Sequence, residues 1–292
     1  YLGDSFHGSQ VQPDVRTVQG ELIRVFEKLG WIPKDVESHN LVLSSRTDAG
    51  VHVRLNGGSV RVASSLWDSI TPRKFVRAVD DLLPDEIAFL DVRAVGMDWN
   101  PRLAVHRVYR YRMECMDFWN DPGEEFVQWL QLFVGTYDAR NFARLEPDKN
   151  PIRTIESCSP WIVDGRTVGF EIVGKAFLWN QVRRIAMALQ LLALGEISPT
   201  DVRNAIKKPD VEVDFGVAPP DWLILWGVEW EDAQIPQTDE SNCRFSPPPV
   251  PSREAERTMR KRWRQSARME LKTLLYTEWM QLGQLPVAYH HK

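Results

Sequence analysis

With 292 residues, 43% of them hydrophobic, the chain is long enough for two domains and a sizeable core. No run of about 18 apolar residues occurs and the start does not read as a signal peptide, which sets aside a membrane protein and predicts a soluble, cytoplasmic one. Cys115, Cys158 and Cys243 are odd in number and far apart, so neither a disulfide framework nor a zinc site is expected, and the formal charge of -4 offers no general excess of cation for binding phosphate.

Val18, Leu22, Val25, Phe26 and Leu29 fall at helical spacing, with Thr17 as cap and Gly30 as stop. Asn40 to Ser45 and Ser59 to Ala63 read as strands, and Gly57-Gly58 marks a turn or bulge before the second. Thr71-Pro72 opens a helix whose buried stripe is Phe75, Val79 and Leu82, ending before Pro84. Ile87 to Val95 then alternates as a strand. This order predicts an α+β domain with helices on one face of a mostly antiparallel sheet.

The second half has a similar grammar. Val105 to Cys115 reads as a strand, Glu125 to Val134 as a helix, and Thr154 to Val173 as two strands joined at the hairpin signal Asp164-Gly165. From Leu178 to Leu194 the pattern is apolar nearly all round, predicting a helix buried between layers and stopped by Gly195. Ser198-Pro199 to Ile206 gives a further short helix and Trp222 to Trp230 a closing strand. Two halves of like order predict a pseudo-symmetric pair of α+β domains, residues 1–98 and 99–231.

After Glu231 the composition changes. Residues 232–251 are polar and carry Pro247-Pro248-Pro249 and Pro251, the pattern of an extended linker. Beyond it Arg253, Arg257, Arg260, Lys261, Arg262, Arg264, Arg268 and Lys272 accompany Met259, Trp263, Leu271, Leu274 and Leu275 in a pattern that fits one long helix. Two readings stand: a basic helix gripping RNA phosphates, or one packed back on the body with solvated charges.

The stretch with most chemical promise is Arg46-Thr47-Asp48-Ala49-Gly50-Val51-His52, a strand end followed by a glycine turn. It sets a guanidinium two residues from a carboxylate on one rim. Taken alone, the stretch reads better as Asp48 bonding its own backbone in a turn and Arg46 as a solvated surface charge, and spacing does not decide the matter.

That heptapeptide resembles the signature of the TruA family of tRNA pseudouridine synthases, in which the aspartate is the catalytic residue. Further stretches resemble the family in the same order: Phe6 to Pro13 with Arg16 to Leu22, Asn100-Pro101-Arg102 with Arg107 to Tyr111, and Gly135 to Phe142. Phe177 to Arg183 is similar to the helix start that carries the family's active-site arginine, and Ala218-Pro219 with Leu223-Ile224-Leu225 to its closing strand. Together they span about residues 1 to 230, and the joint pattern is more specific than any one piece. Leu2, Ser9, Gln181 and Asn56-Gly57-Gly58 depart from the family's usual residues, which touches substrate choice rather than the catalytic set.

The resemblance implies a fold in which the sheets of the two domains join into one central sheet, with a cleft to which both lend residues. It implies Asp48 as the group acting on the nucleotide and Arg183 as the cation that holds it charged. Tyr109 would stack on the flipped uracil, Leu223 would wall the pocket, and Arg46 would help extrude the target and take its place; His52 is a further substrate-binding candidate. No metal or cofactor is implied. The substrate would be tRNA, in the anticodon stem-loop at tRNA nucleotides 38 to 40, and the assembly a homodimer cradling it. The same reaction on other uridines is the alternative within the class, and a non-catalytic RNA-binding or RNA-folding module the alternative outside it.

Overall fold

The computed structural model describes residues 1–34, 41–117, 119, 121–238 and 257–284. Cys243, the proline run 247–251, Arg253, His39, Asn40, His290 and His291 lie outside the described residues.

The first helix, α1 (Val18–Lys28), starts where the Thr17 hydroxyl accepts from the Gly20 amide at 3.2 Å. Its stripe of Val25 and Phe26 is buried against Phe75 and Val79 of α3 (Pro72–Asp80), and Trp31, Phe75 and Phe89 complete an aromatic cluster. A short α2 (Ser64–Ser69), absent from the apolar periodicity, precedes α3. Strands β1 (Val42–Leu43) and β3 (Gly58–Ser59) pair antiparallel as a small ribbon, shorter than the alternation predicts.

The segment Ile87 to Val95 corrects its reading as a strand, since it joins no ladder. Two of its amides go to nearby carboxylates: Phe89 N–H donates to Asp80 at 2.8 Å and Val92 N–H to Asp91 at 2.7 Å. Period-two alternation does not make a sheet unless a neighbouring strand takes the backbone groups.

The central sheet has six strands in the order β2-β8-β4-β7-β6-β5, with β2 as His52–Val53, β4 as His106–Tyr111, β5 as Gly135–Asp138, β6 as Ile152–Val163, β7 as Arg166–Gly174 and β8 as Leu223–Glu229. Neighbours run antiparallel except β2, which lies parallel to β8 with His52 opposite Ile224. The sheet is therefore α+β and mixed, and its seam at β2-β8 joins the first half of the chain to the last strand of the second. At the predicted hairpin, Asp164 and Gly165 both adopt positive φ, 49° and 74°, as a tight primed turn requires.

A helix α4 (Glu124–Gln131) covers β6, and α6 (Pro199–Lys207) opens with a Ser198–Asp201 capping box. The apolar helix α5 (Gln181–Leu194) is buried along most of its length and stops at Gly195, φ 69°. It starts three residues later than its hydrophobic run because Asn180 sits in the left-handed region at φ 62°. This break places Arg183 on the first turn.

The last helix, α7 (Arg257–Gln284), packs back on the body through Ala267, Leu271, Leu275 and Trp279. Its cations meet body carboxylates at four-residue spacing: Arg264 with Asp117, Arg268 with Asp221 at 3.6 Å, and Lys272 with Asp4 at 2.6 Å. Inside this contact Arg54 and Glu278, 1% and 0% exposed, form a buried ion pair at 2.5 Å. No described helix is long and apolar enough to cross a membrane. Cys115 and Cys158 are buried free thiols whose pKa burial pushes up.

Candidate active site

The turn holding Asp48 is fixed from both sides by backbone and small polar groups. Thr47 N–H donates to the Ser9 hydroxyl at 2.9 Å, the Ser9 amide to Thr47 O at 3.1 Å, and the Tyr1 and Thr47 hydroxyls lie 2.6 Å apart. Gly50 has φ 84°, and a Cβ there would meet Pro220 at 2.9 Å, so only glycine lets this turn approach the loop before β8. The Val51 amide returns to Asp48 O at 3.2 Å and closes the turn.

Arg183 reaches this turn from the other half of the chain. Its Nη1 donates to Asp48 Oδ2 and to Asn180 Oδ1, both at 3.0 Å, and its Nε to the Ala218 carbonyl at 2.7 Å. The Ala218 amide in turn donates to Arg183 O at 3.1 Å. Apart from the carboxylate the guanidinium is held at two points, Asn180 Oδ1 and the Ala218 carbonyl, which leaves little rotamer freedom to lose on pairing. Side-chain exposures of 31% for Asp48 and 16% for Arg183 make the pair half-buried, with the carboxylate the more open of the two.

Tyr109 lies on β4, 8% exposed, with its ring edge-on to Phe177 at 5.2 Å. Burial pushes its phenol up to about 12; the Arg107 cation pulls it down and the Asp48 charge adds to the rise, so the ring belongs to the same electrostatic neighbourhood as the carboxylate. Leu223, 6% exposed, begins β8 opposite Tyr111.

Two of the expected residues sit apart from this cluster. Arg46 is exposed and lines a shallow depression with Ser9, Gln10, Gln19 and Arg102. His52 is buried at 2% exposure on β2, its Nδ1 accepting from the Gly3 amide at 3.2 Å, and burial lowers its pKa to about 4. A neutral, buried imidazole under the turn braces the backbone instead of facing the cleft.

Arg107 received no role from the sequence, although it shares the buried face of β4 with Tyr109 two residues on. Its guanidinium bonds Ser45 Oγ at 2.9 Å, the carbonyls of Ser44 and Arg102 at 3.2 Å, and the carbonyl of Lys175. It ties the strand that leads into Asp48 to the segment that leads into Arg183. Period two along the strand was the signal available.

A carboxylate bonded to a fixed cation, with a buried aromatic ring in its electrostatic neighbourhood, is a group suited to nucleophilic or general-base work. Comparisons with known proteins point the same way. Residues 130–231 match a family model described as tRNA pseudouridine synthase. The tRNA pseudouridine synthase A of Thermococcus onnurineus (strain NA1) is 37% identical over 236 residues, covering 80% of this chain and 84% of that one. Its counterpart of the same name in Thermococcus sibiricus is 37% identical over 235 residues, 79% and 82% of the two chains, and that in Methanoculleus marisnigri 35% over 233 residues, 79% and 80%.

Proposed function

The chain belongs to the TruA family of tRNA pseudouridine synthases, isomerases that turn uridine into pseudouridine in tRNA, and from that premise we propose that it acts on the anticodon stem-loop, at tRNA nucleotides 38 to 40, with Asp48 as its catalytic residue. The observation that carries the reading is the 3.0 Å contact between Arg183 and Asp48, which come from opposite halves of the chain.

Isomerisation breaks the bond from C1′ to N1 of uracil, turns the detached base and joins C1′ to C5; N1 gains a proton and C5 loses one. Asp48 serves either as nucleophile or as the base that takes a sugar proton, and both roles need it ionised. Arg183, bonded to the carboxylate at 3.0 Å, is the counterion of that charge. Tyr109 offers a ring face for the uracil and Leu223 an apolar wall. Its phenol, pushed up to about 12, stays protonated at neutral pH and is no general base.

In this reading Arg46, which is exposed, fills the gap left by the extruded nucleotide. His52 is assigned a positioning role under the turn. Residues 1–98 and 99–231 then act as two jaws and α7 as a strap across them. A homodimer in the cytoplasm, each copy lending surface to the tRNA, completes the reading. Mapping pseudouridine in unmodified tRNA incubated with the purified protein tests it: product in the anticodon stem-loop is expected, and product elsewhere, or none, contradicts it.

A further inference from the structure

Of the twelve tryptophans in the chain only Trp179 is exposed, with 43% of its surface in solvent. Such a side chain is ordinarily buried, and this one sits beside the site. Its neighbour Asn180 accepts from the same Arg183 Nη1 that donates to Asp48, each at 3.0 Å. Two residues before it, Phe177 packs on Tyr109. The chain therefore points inward at 177 and 180 and outward at 179.

The indole is not loose. Arg144 N–H donates to Trp179 O at 2.9 Å, the two residues form an isolated antiparallel bridge, and Leu178 is buried with Ala139 and Ala143 in a small core beneath. The Arg144 guanidinium stacks on the indole 4.2 Å from its centre. It is exposed, and no carboxylate pairs with it among the described residues. A rigid aromatic face beside an unneutralised guanidinium is the combination that holds a base by stacking and its phosphate by charge.

We propose that Trp179 and Arg144 form a second nucleotide subsite next to the Asp48–Arg183 pair, binding the base and phosphate of an unpaired nucleotide adjacent to the target uridine. The inference rests on the tRNA reading above. It gives the enzyme a grip on the strand that stays in place while the target base is detached and turned.

The test measures KM, kcat and, in an Asp48→Asn background that cannot turn over, the Kd for a stem-loop RNA, with intact bases or with an abasic residue on either side of the target. Stacking on one base is worth about 1 to 3 kcal/mol, so Trp179→Ala is expected to weaken binding about 5- to 150-fold, raising KM more than it lowers kcat. Trp179→Phe should recover most of the loss. An abasic neighbour on one side should weaken the intact protein similarly and cost the Trp179→Ala protein nothing more. Arg144→Ala should reduce the salt dependence of binding by about one counterion. Equal binding by Trp179→Ala, or an abasic penalty that persists in it undiminished, overturns the proposal. Should that variant fail to fold, abasic neighbours without effect on the intact protein overturn it equally. Absence of pseudouridine with the intact protein would strike the proposed reaction instead.

Discussion

Arg183 donates to Asp48 at 3.0 Å, and the two residues are 135 positions apart in the chain. The contact joins a turn of the first half to the first turn of α5, so the site exists only when both halves are folded together. A charge-assisted hydrogen bond of this kind is worth about 1.5 to 3 kcal/mol. Arg183→Ala is accordingly expected to lower kcat by about 10- to 150-fold with tRNA affinity nearly unchanged, and Arg183→Lys to keep part of the activity. Steady-state kinetics beside a filter-binding Kd distinguish this from lost binding, which would raise KM alone.

Under the proposed function the ring of Tyr109, and not its hydroxyl, is the working part. Tyr109→Phe should keep most of kcat/KM, while Tyr109→Leu should lose about 5- to 150-fold, the worth of one stacked base. With the phenol pushed up to about 12 by burial, the pH–rate profile should show no limb from this residue up to pH 10. An ionisation near 10 that vanishes in Tyr109→Phe would contradict the assignment.

His52 makes stability depend on acidity. Burial lowers its pKa from 6.5 to about 4, so between those values the unfolded chain binds the extra proton and the folded one does not. The contribution is present in full above pH 6.5 and is lost as pH falls toward 4, amounting to roughly 3 kcal/mol. Urea unfolding at pH 7 and pH 4 should show that the acid-induced loss shrinks by about this amount in His52→Gln. An unchanged loss would place the acid sensitivity elsewhere.

The strongly periodic or punctuated parts of this fold were legible in the sequence: α1 with its Thr17 cap, α3 behind Pro72, the Asp164-Gly165 hairpin and the apolar α5. What was hidden depended on distant partners. The two residues of β2 become a strand only through β8, and Ile87 to Val95 alternates correctly yet joins no ladder, with two of its amides going to Asp80 and Asp91. The resemblance named Asp48, Arg183 and Tyr109, which the fold gathers, but could not tell that His52 points into protein or that Arg107 ties the two approaches to the cleft. The docking of α7 was undecided from its charge run, because Asp4, Asp117 and Asp221 lie far away in the chain.

The Arg54–Glu278 pair makes that docking testable. Glu278→Ala leaves the buried Arg54 without this carboxylate, which costs about 3 to 5 kcal/mol, whereas replacing both by apolar residues of similar volume should be close to neutral. Denaturant midpoints, with hydrogen exchange along residues 263–282, measure it. A single variant as stable as the intact protein would show that the pair does not hold the helix.

The most direct measurement of the central claim is release of tritium from C5-labelled uridine in tRNA by the Asp48→Asn protein, set beside its tRNA affinity. The amide keeps the size of the side chain and removes its charge. The account predicts tRNA bound within about threefold of the intact protein, a difference below about 1 kcal/mol, and tritium release reduced by about 10⁴-fold or more. Release at a rate near that of the intact protein would contradict the assignment of the chemistry to this carboxylate.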